Sequence, residues 1–177
     1  MIEKVIRVGA QDNLNRAVGQ LITVYEDRRH VKQAASGVFS REDLLGYAPP
    51  PGHFMAHIIA MGSDEQYGFN RNHDGWPHQG LINKHATFVT HGRNYREHRN
   101  TDPKLAIGKI AASRYDEETQ RVELILHTCI EKAAEEFERA RSGEEMSGSM
   151  AANLPEDQCN ACDHISKTAY DRCDCIR

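Results

Sequence analysis

Apolar and polar positions divide the first third of the chain into three predicted elements. Between residues 11 and 34, apolar side chains recur at the spacing of one helix face, which predicts a helix that Asp12 or Asn13 can cap. A short helix is predicted to start at Ser40, because acidic residues follow in what would be its first turn. Residues 54–61 form an apolar run broken only by a histidine, which predicts a buried strand.

The rest of the chain predicts mostly strands, with one clear helix. The predicted elements are strands at residues 87–90, 107–115, 121–127 and 147–154, and a helix at residues 130–141. Strands and helices do not alternate regularly, so a parallel sheet is not favoured. We therefore expect an α+β domain with an antiparallel or barrel-like sheet.

Composition narrows the class of protein. The chain has 177 residues, a net charge of −4, ten histidines and five cysteines. The negative charge argues against a broad nucleic-acid-binding surface. Neither a signal-peptide pattern nor a membrane-spanning apolar stretch is present in the sequence, so we expect a reducing compartment and no membrane partner. Three parts are predicted: an N-terminal helical segment or propeptide at 1–50, a core at 51–155 and a Cys-rich segment at 156–177.

Four of the five cysteines follow residue 158, in two close pairs. The sequence places them at Cys159, Cys162, Cys173 and Cys175. Two such pairs can complete a thiolate tetrahedron around zinc, and a site with four protein ligands is closed and structural. His164 is an alternative ligand, and uncoordinated thiols or a disulfide pair remain alternatives to the metal. We expect Cys129 to be a core residue.

Four short motifs, taken together in order, resemble a known family. They are residues 70–77 (Asn-Arg-Asn-His-Asp-Gly-Trp-Pro), residues 97–108 (Glu-His-Arg-Asn-Thr-Asp-Pro-Lys-Leu-Ala-Ile-Gly), residues 121–126 before a charged helix, and residues 148–150 (Gly-Ser-Met). This order resembles the prohead (capsid maturation) serine proteases of tailed phages, which are related to herpesvirus assemblin. The cysteine spacing is similar to that of an insertion found in large-phage members.

The resemblance implies an assemblin-like antiparallel β-barrel with flanking helices and a small zinc-stabilised C-terminal segment. It also implies that Ser149 is the nucleophile and His98 the general base. A serine hydroxyl needs such a base to take its proton as it attacks an amide. His91 is the alternative base, and Ser147 the alternative nucleophile. The third catalytic member is expected either within the C-terminal segment, with Asp171, Asp174 and His164 as candidates, or beyond the chain end.

Two departures from the family pattern bear on activity. Ala151 and Ala152 stand where the family usually has Gly-Cys, and the chain ends before the family's later strands. We therefore expect a C-terminally truncated chain.

The function implied by the resemblance is cleavage of scaffold and capsid-protein propeptides during head assembly, with possible self-processing. The expected substrates and partners are phage scaffold and major capsid proteins, the expected state is a homo-oligomer, and the expected location is the prohead interior or host cytoplasm. Two alternatives are an inactive capsid- or scaffold-associated structural protein, and a zinc-knuckle nucleic-acid-binding module. The first is favoured by Ala151 and Ala152. The second is disfavoured by the acidic residues among the cysteines.

Overall fold

A computed structural model gives the fold of most of the chain. It describes residues 21–25, 38–70, 74–97, 99–142, 144, 148, 151, 155–168 and 170–175. Among these residues, no helix is both long and apolar enough to cross a membrane.

The centre of the molecule is a curled antiparallel sheet. Its strands are β1 (Leu21–Tyr25), β2 (His53–Gly62), β3 (Arg93–Asn94), β4 (Gly108–Asp116) and β5 (Arg121–Cys129). They lie in the order β1-β2-β5-β4-β3, so the two longest apolar strands, β2 and β5, are neighbours near the centre. A separate two-stranded hairpin is formed by β6 (Asp157–Gln158) and β7 (Ile165–Ser166).

Short helices complete the fold. They are α1 (Arg41–Gly46), α2 (Asp64–Tyr67), α3 (His78–Lys84), α4 (Thr87–His91) and α5 (Ala134–Ser142), with a 3₁₀ turn at Pro103–Leu105. The structure is thus mixed α and β with an antiparallel sheet, which confirms the expected class at that level.

One face of the sheet carries the larger apolar core. Alternate residues of β2 and β5 point to this face, as the two-residue period of a strand requires. Phe54 of β2 packs against Phe137 of α5, with ring centroids 5.1 Å apart, and both side chains are buried. Val122 and Leu124 of β5 belong to the same cluster. The amphipathic helix α5 therefore covers this face.

The opposite face is covered by α1 and the residues before it. Ser40 caps the helix: its hydroxyl accepts from the Asp43 amide at 3.1 Å, and its own amide donates to the Asp43 carboxylate at 2.9 Å. This confirms the predicted helix start. Phe39 and Leu44 are then buried against Met55 and their neighbours on the sheet.

The helix predicted over residues 11–34 is wrong at Leu21–Tyr25, which forms β1. The remainder of that range lies outside the described residues. The run Leu-Ile-Thr-Val-Tyr is rich in β-branched and aromatic residues, which fit a pleated sheet. This run pairs with β2, with Val24 opposite Ala56, and the pairing makes it a strand.

The strand predicted over residues 87–90 is also wrong, because this segment forms α4. The β-branched residues there favour a strand only weakly. Phe88 instead packs against the core cluster as part of a helix, and the amide of Gly92 closes that helix on the Phe88 carbonyl at 2.9 Å. Tertiary packing therefore outweighs local propensity at this point.

Other predicted elements are confirmed. The strand at 54–61 is β2, and the two strands joined at residues 116–119 are β4 and β5, which pair with each other. The predicted helix at 130–141 begins later, at Ala134. The strand predicted at 147–154 falls mostly outside the described residues, and the divisions at residues 50 and 155 stay predictions.

Candidate functional site

The four C-terminal cysteines come together in space. Their sulfur atoms all lie within 4.8 Å of one another, although ten residues separate the two pairs in sequence. Cys159 is buried and Cys173 half-buried, whereas Cys162 and Cys175 are exposed. This arrangement is close enough to hold one metal ion.

The hairpin β6–β7 positions the first cysteine pair. The amide of Cys159 donates to the His164 carbonyl at 2.9 Å, and the amide of Asp163 donates to the Cys159 carbonyl at 2.9 Å. Asp163 has a positive φ of 58°, which lets the chain reverse direction after Cys162. The tight turn thus brings the sulfur atoms of Cys159 and Cys162 to the same side.

The electrostatics of the cluster favour thiolate formation at its buried member. Backbone amides of Ala161 and Cys162 point at the Cys159 sulfur and lower the pKa of that thiol to about 7. Hydrogen bonding with the neighbouring thiols, Cys162 first, raises the pKa of Cys175 to about 12. Four adjacent thiols cannot all ionise unless a cation offsets their charge, and a metal ion with a 2+ charge would supply that offset.

Asp171 shapes the loop between the two cysteine pairs. Its carboxylate accepts from the amides of Lys167 at 3.1 Å and Thr168 at 2.9 Å, and these bonds lower its pKa. Its carbonyl lies 2.6 Å from Nε2 of His164. Both groups are therefore engaged in folding this loop. The role of Asp171 as a third catalytic member stays a prediction.

His164 is not part of the metal cluster. The ligand group found among the described residues is made of the four cysteines alone, and the His164 ring is held by the Asp171 carbonyl. The chemistry of four sulfur donors fits a tetrahedral ion such as zinc.

The two residues predicted to carry catalysis, Ser149 and His98, lie outside the described residues, and so does Ser147. The alternative base His91 is exposed at the end of α4. The structure therefore brings together the predicted metal ligands, whereas the proximity of the predicted nucleophile and base stays a prediction.

A buried polar cluster on the central strands was not predicted from the sequence. Glu123 of β5 and His57 of β2 are fully buried, and Nε2 of His57 lies 2.7 Å from Oε2 of Glu123. Arg121 donates to the other carboxylate oxygen through Nε at 2.9 Å and Nη2 at 2.7 Å. The amide of Val38 donates to Oε2 at 3.1 Å. Both oxygens of Glu123 are thus satisfied.

Polar side chains of β4 and β5 also tie the residues around α1 to the sheet. Arg114 of β4 donates to the Val38 carbonyl and makes a two-pronged bond to the Asp43 carboxylate, which lowers the pKa of Asp43. His127 lies 2.6 Å from the Tyr47 carbonyl, and burial lowers its pKa. The sequence did carry a signal for these contacts. Arg121, Glu123 and His127 are separated by even numbers of positions in a mostly apolar strand, which places all three side chains on one face.

Comparisons with protein-family models, curated proteins and solved structures find no match to this chain.

Proposed function

We propose that this chain is a prohead maturation serine endopeptidase of a tailed phage, with Ser149 as nucleophile and His98 as general base. The observation that carries the proposal is the ordered set of four motifs, from the Asn-rich loop at 70–77 to Gly-Ser-Met at 148–150. Its substrates would be scaffold and major capsid precursors, and cleavage would remove their propeptides.

The positions of three elements support this proposal. The resemblance implies a strand starting at an Ile-Gly pair, followed by a second strand and a charged helix. In the structure β4 begins at Gly108, pairs with β5, and α5 follows. An antiparallel sheet of this kind is the scaffold on which an assemblin-like barrel would be built.

The experiment is a time course of intact mass, in which the full chain is mixed with a scaffold or major capsid precursor. The variant Ser149→Ala is run in parallel, and Ser147→Ala serves as the matched control because it removes the hydroxyl two residues earlier in the sequence. We expect precursor fragments from the wild type and from Ser147→Ala, and none from Ser149→Ala. Without the nucleophile, the base has no hydroxyl to activate.

Failure of the wild type to cut would favour the alternative function, an inactive capsid- or scaffold-associated structural protein. Cleavage that survives in Ser149→Ala but is lost in Ser147→Ala would move the nucleophile to the neighbouring serine. A chain extended at its C-terminus separates truncation from inactivity, since only a truncated enzyme regains activity.

We propose further that the metal at the cysteine cluster is zinc and that it is structural. Four thiolates leave no coordination position for substrate or water. The expected content is one zinc per chain by elemental analysis. Cys173→Ser would lower that content, whereas Cys129→Ser, a cysteine outside the cluster, would leave it unchanged. A zinc content independent of Cys173 would contradict the assignment.

A further inference from the structure

The second cysteine pair lies outside the hairpin that carries the first pair. Cys159 and Cys162 lie between the strands β6 and β7 in the sequence, so strand pairing helps to fix them. Cys173 and Cys175 come after β7, and residues 170–175 form no helix or strand. The position of the second pair beside the first pair must therefore come from other contacts.

Asp171 forms one set of these contacts, two residues before Cys173. Its carboxylate accepts from the amides of Lys167 and Thr168 at 3.1 and 2.9 Å, and from the Thr168 hydroxyl at 3.1 Å. Its carbonyl lies 2.6 Å from Nε2 of His164, the residue directly before β7. Asp171 is thus bonded to residues at both ends of β7.

Arg172 forms a second contact, which reaches the other strand of the hairpin. Its Nη2 lies 2.9 Å from Oδ2 of Asp157 in β6. Asp157 comes two residues before Cys159 in the sequence. The two side chains are 36% and 34% exposed, so water screens this ion pair in part. The neighbours Asp171 and Arg172 are therefore bonded to residues on both sides of the first cysteine pair.

The distance between the two pairs decides whether one ion can bind all four sulfur atoms. Zinc binds each sulfur at about 2.3 Å, so four sulfur atoms in a tetrahedron lie about 3.8 Å apart. The sulfur atoms of the cluster all lie within 4.8 Å of one another. Because metal–ligand distances vary by only about 0.2 Å, a shift of the second pair by about 1 Å is enough to weaken the site.

We infer that Asp171 and Arg172 are positioning residues of the metal site: their side chains hold the second cysteine pair at the distance from the first pair that one ion requires. This inference rests on the proposed zinc site, and it names residues that set the affinity of that site. Neither residue is a ligand, because the ligand group found among the described residues is the four cysteines alone. Loss of either side chain therefore weakens metal binding while all four sulfur atoms remain.

The test measures the zinc affinity of the full-length chain under reducing conditions, by competition with a chelator whose colour reports free zinc. Cobalt(II) is bound to the wild type in a separate measurement, because its visible and sulfur-to-metal absorption bands report a tetrahedral site of thiolates. Circular dichroism of each variant shows whether the sheet is unchanged.

We expect Asp171→Ala to weaken zinc binding by about tenfold to a hundredfold, the usual effect of losing a residue that orients metal ligands. Asp171→Asn should bind more tightly than Asp171→Ala, because its amide oxygen can still accept from the two backbone amides.

Arg172→Gln should weaken zinc binding by about twofold to fivefold, because a partly exposed ion pair contributes little. The charge swap, Arg172→Asp combined with Asp157→Arg, should restore most of the affinity. Glu156→Gln is the matched control, since it removes one negative charge from an exposed side chain of the same segment. Its zinc affinity should equal that of the wild type.

The outcomes separate this inference from the proposed zinc site. A wild type that binds no zinc, or whose cobalt(II) form lacks the sulfur-to-metal bands, overturns the zinc site, and the inference falls with it. A wild type that binds both metals as expected, with Asp171→Ala and Arg172→Gln binding zinc equally well, overturns the inference alone. The inference is also overturned if Glu156→Gln weakens binding as much as Asp171→Ala does, because loss of charge is then the cause. Weakened binding that neither Asp171→Asn nor the charge swap restores is the remaining contrary result.

Discussion

Replacing Glu123 by methionine should destabilise the fold strongly, because Glu123 is the centre of the buried polar cluster. The carboxylate is fully buried and accepts four hydrogen bonds, from His57, Val38 and twice from Arg121. Methionine has a similar volume but accepts none of them. The loss leaves the guanidinium of Arg121, which is 5% exposed, without its counter-charge.

The magnitude follows from that uncompensated charge. Removing one partner of a buried ion pair costs about 3–5 kcal/mol. We expect Glu123→Met to lower the free energy of unfolding by about 3–5 kcal/mol in total. Urea unfolding followed by circular dichroism, with zinc at constant concentration, measures this change.

A double-mutant cycle tests the cause. Arg121→Met alone should also be strongly destabilising, because it leaves a buried carboxylate. The double variant Arg121→Met, Glu123→Met should cost less than the sum of the two single variants by about 2 kcal/mol or more, since an apolar pair replaces both charges. Glu118→Gln, at the exposed turn between β4 and β5, is the control and should change stability by about 0.5 kcal/mol or less. Additive single effects, or a cost below about 1 kcal/mol for Glu123→Met, would refute the reasoning.

Three further predictions concern stability. Leu44→Ala empties a fully buried position and should cost about 2–5 kcal/mol in urea unfolding; a loss below about 1 kcal/mol would show that the site collapses freely. Gly108→Ala would press its new methyl group against the His127 carbonyl oxygen, so we expect a lower thermal midpoint, and an unchanged midpoint would contradict this contact. Arg114 holds the pKa of Asp43 in the folded protein below its ordinary value of 3.8. The ion pair therefore stabilises the fold at pH values above 3.8. This stabilisation is lost as the pH falls through the pKa that Asp43 has in the folded protein. In acid, the free energy of unfolding should fall more steeply with pH in the wild type than in Asp43→Asn. The same pH dependence in both proteins would contradict this prediction.

The hydrophobic pattern was sufficient to predict the central strands. A long apolar run at residues 54–61, and the pair of strands joined by a polar turn, become β2, β4 and β5. β2 and β5 are buried along most of their length, so their apolar pattern fits strands near the centre of the sheet. The cap of α1 was equally local, since Ser40 and Asp43 bond to each other's backbone.

Where the sequence pattern was weak, tertiary contacts determined whether a segment became a strand or a helix. Residues 21–25 and 87–90 are both short and β-branched, yet the first is a strand and the second a helix. Short segments bury little surface by themselves, and intrinsic propensities differ by only about 1 kcal/mol or less. Residues 21–25 gain more free energy than this by pairing with β2. Residues 87–90 gain it by packing Phe88 on the core.

For the candidate site, the sequence alone indicated which four cysteines could hold a metal, because the spacing within each cysteine pair already limits where two sulfur atoms can lie. It did not determine that Glu123 and His57 meet. This contact joins residues 66 positions apart. It exists only because the strand register places His57 two positions along β2 from Met55, on the same face as Glu123. Long-range pairing of charges is a property of the assembled sheet, and no local pattern of residues specifies it.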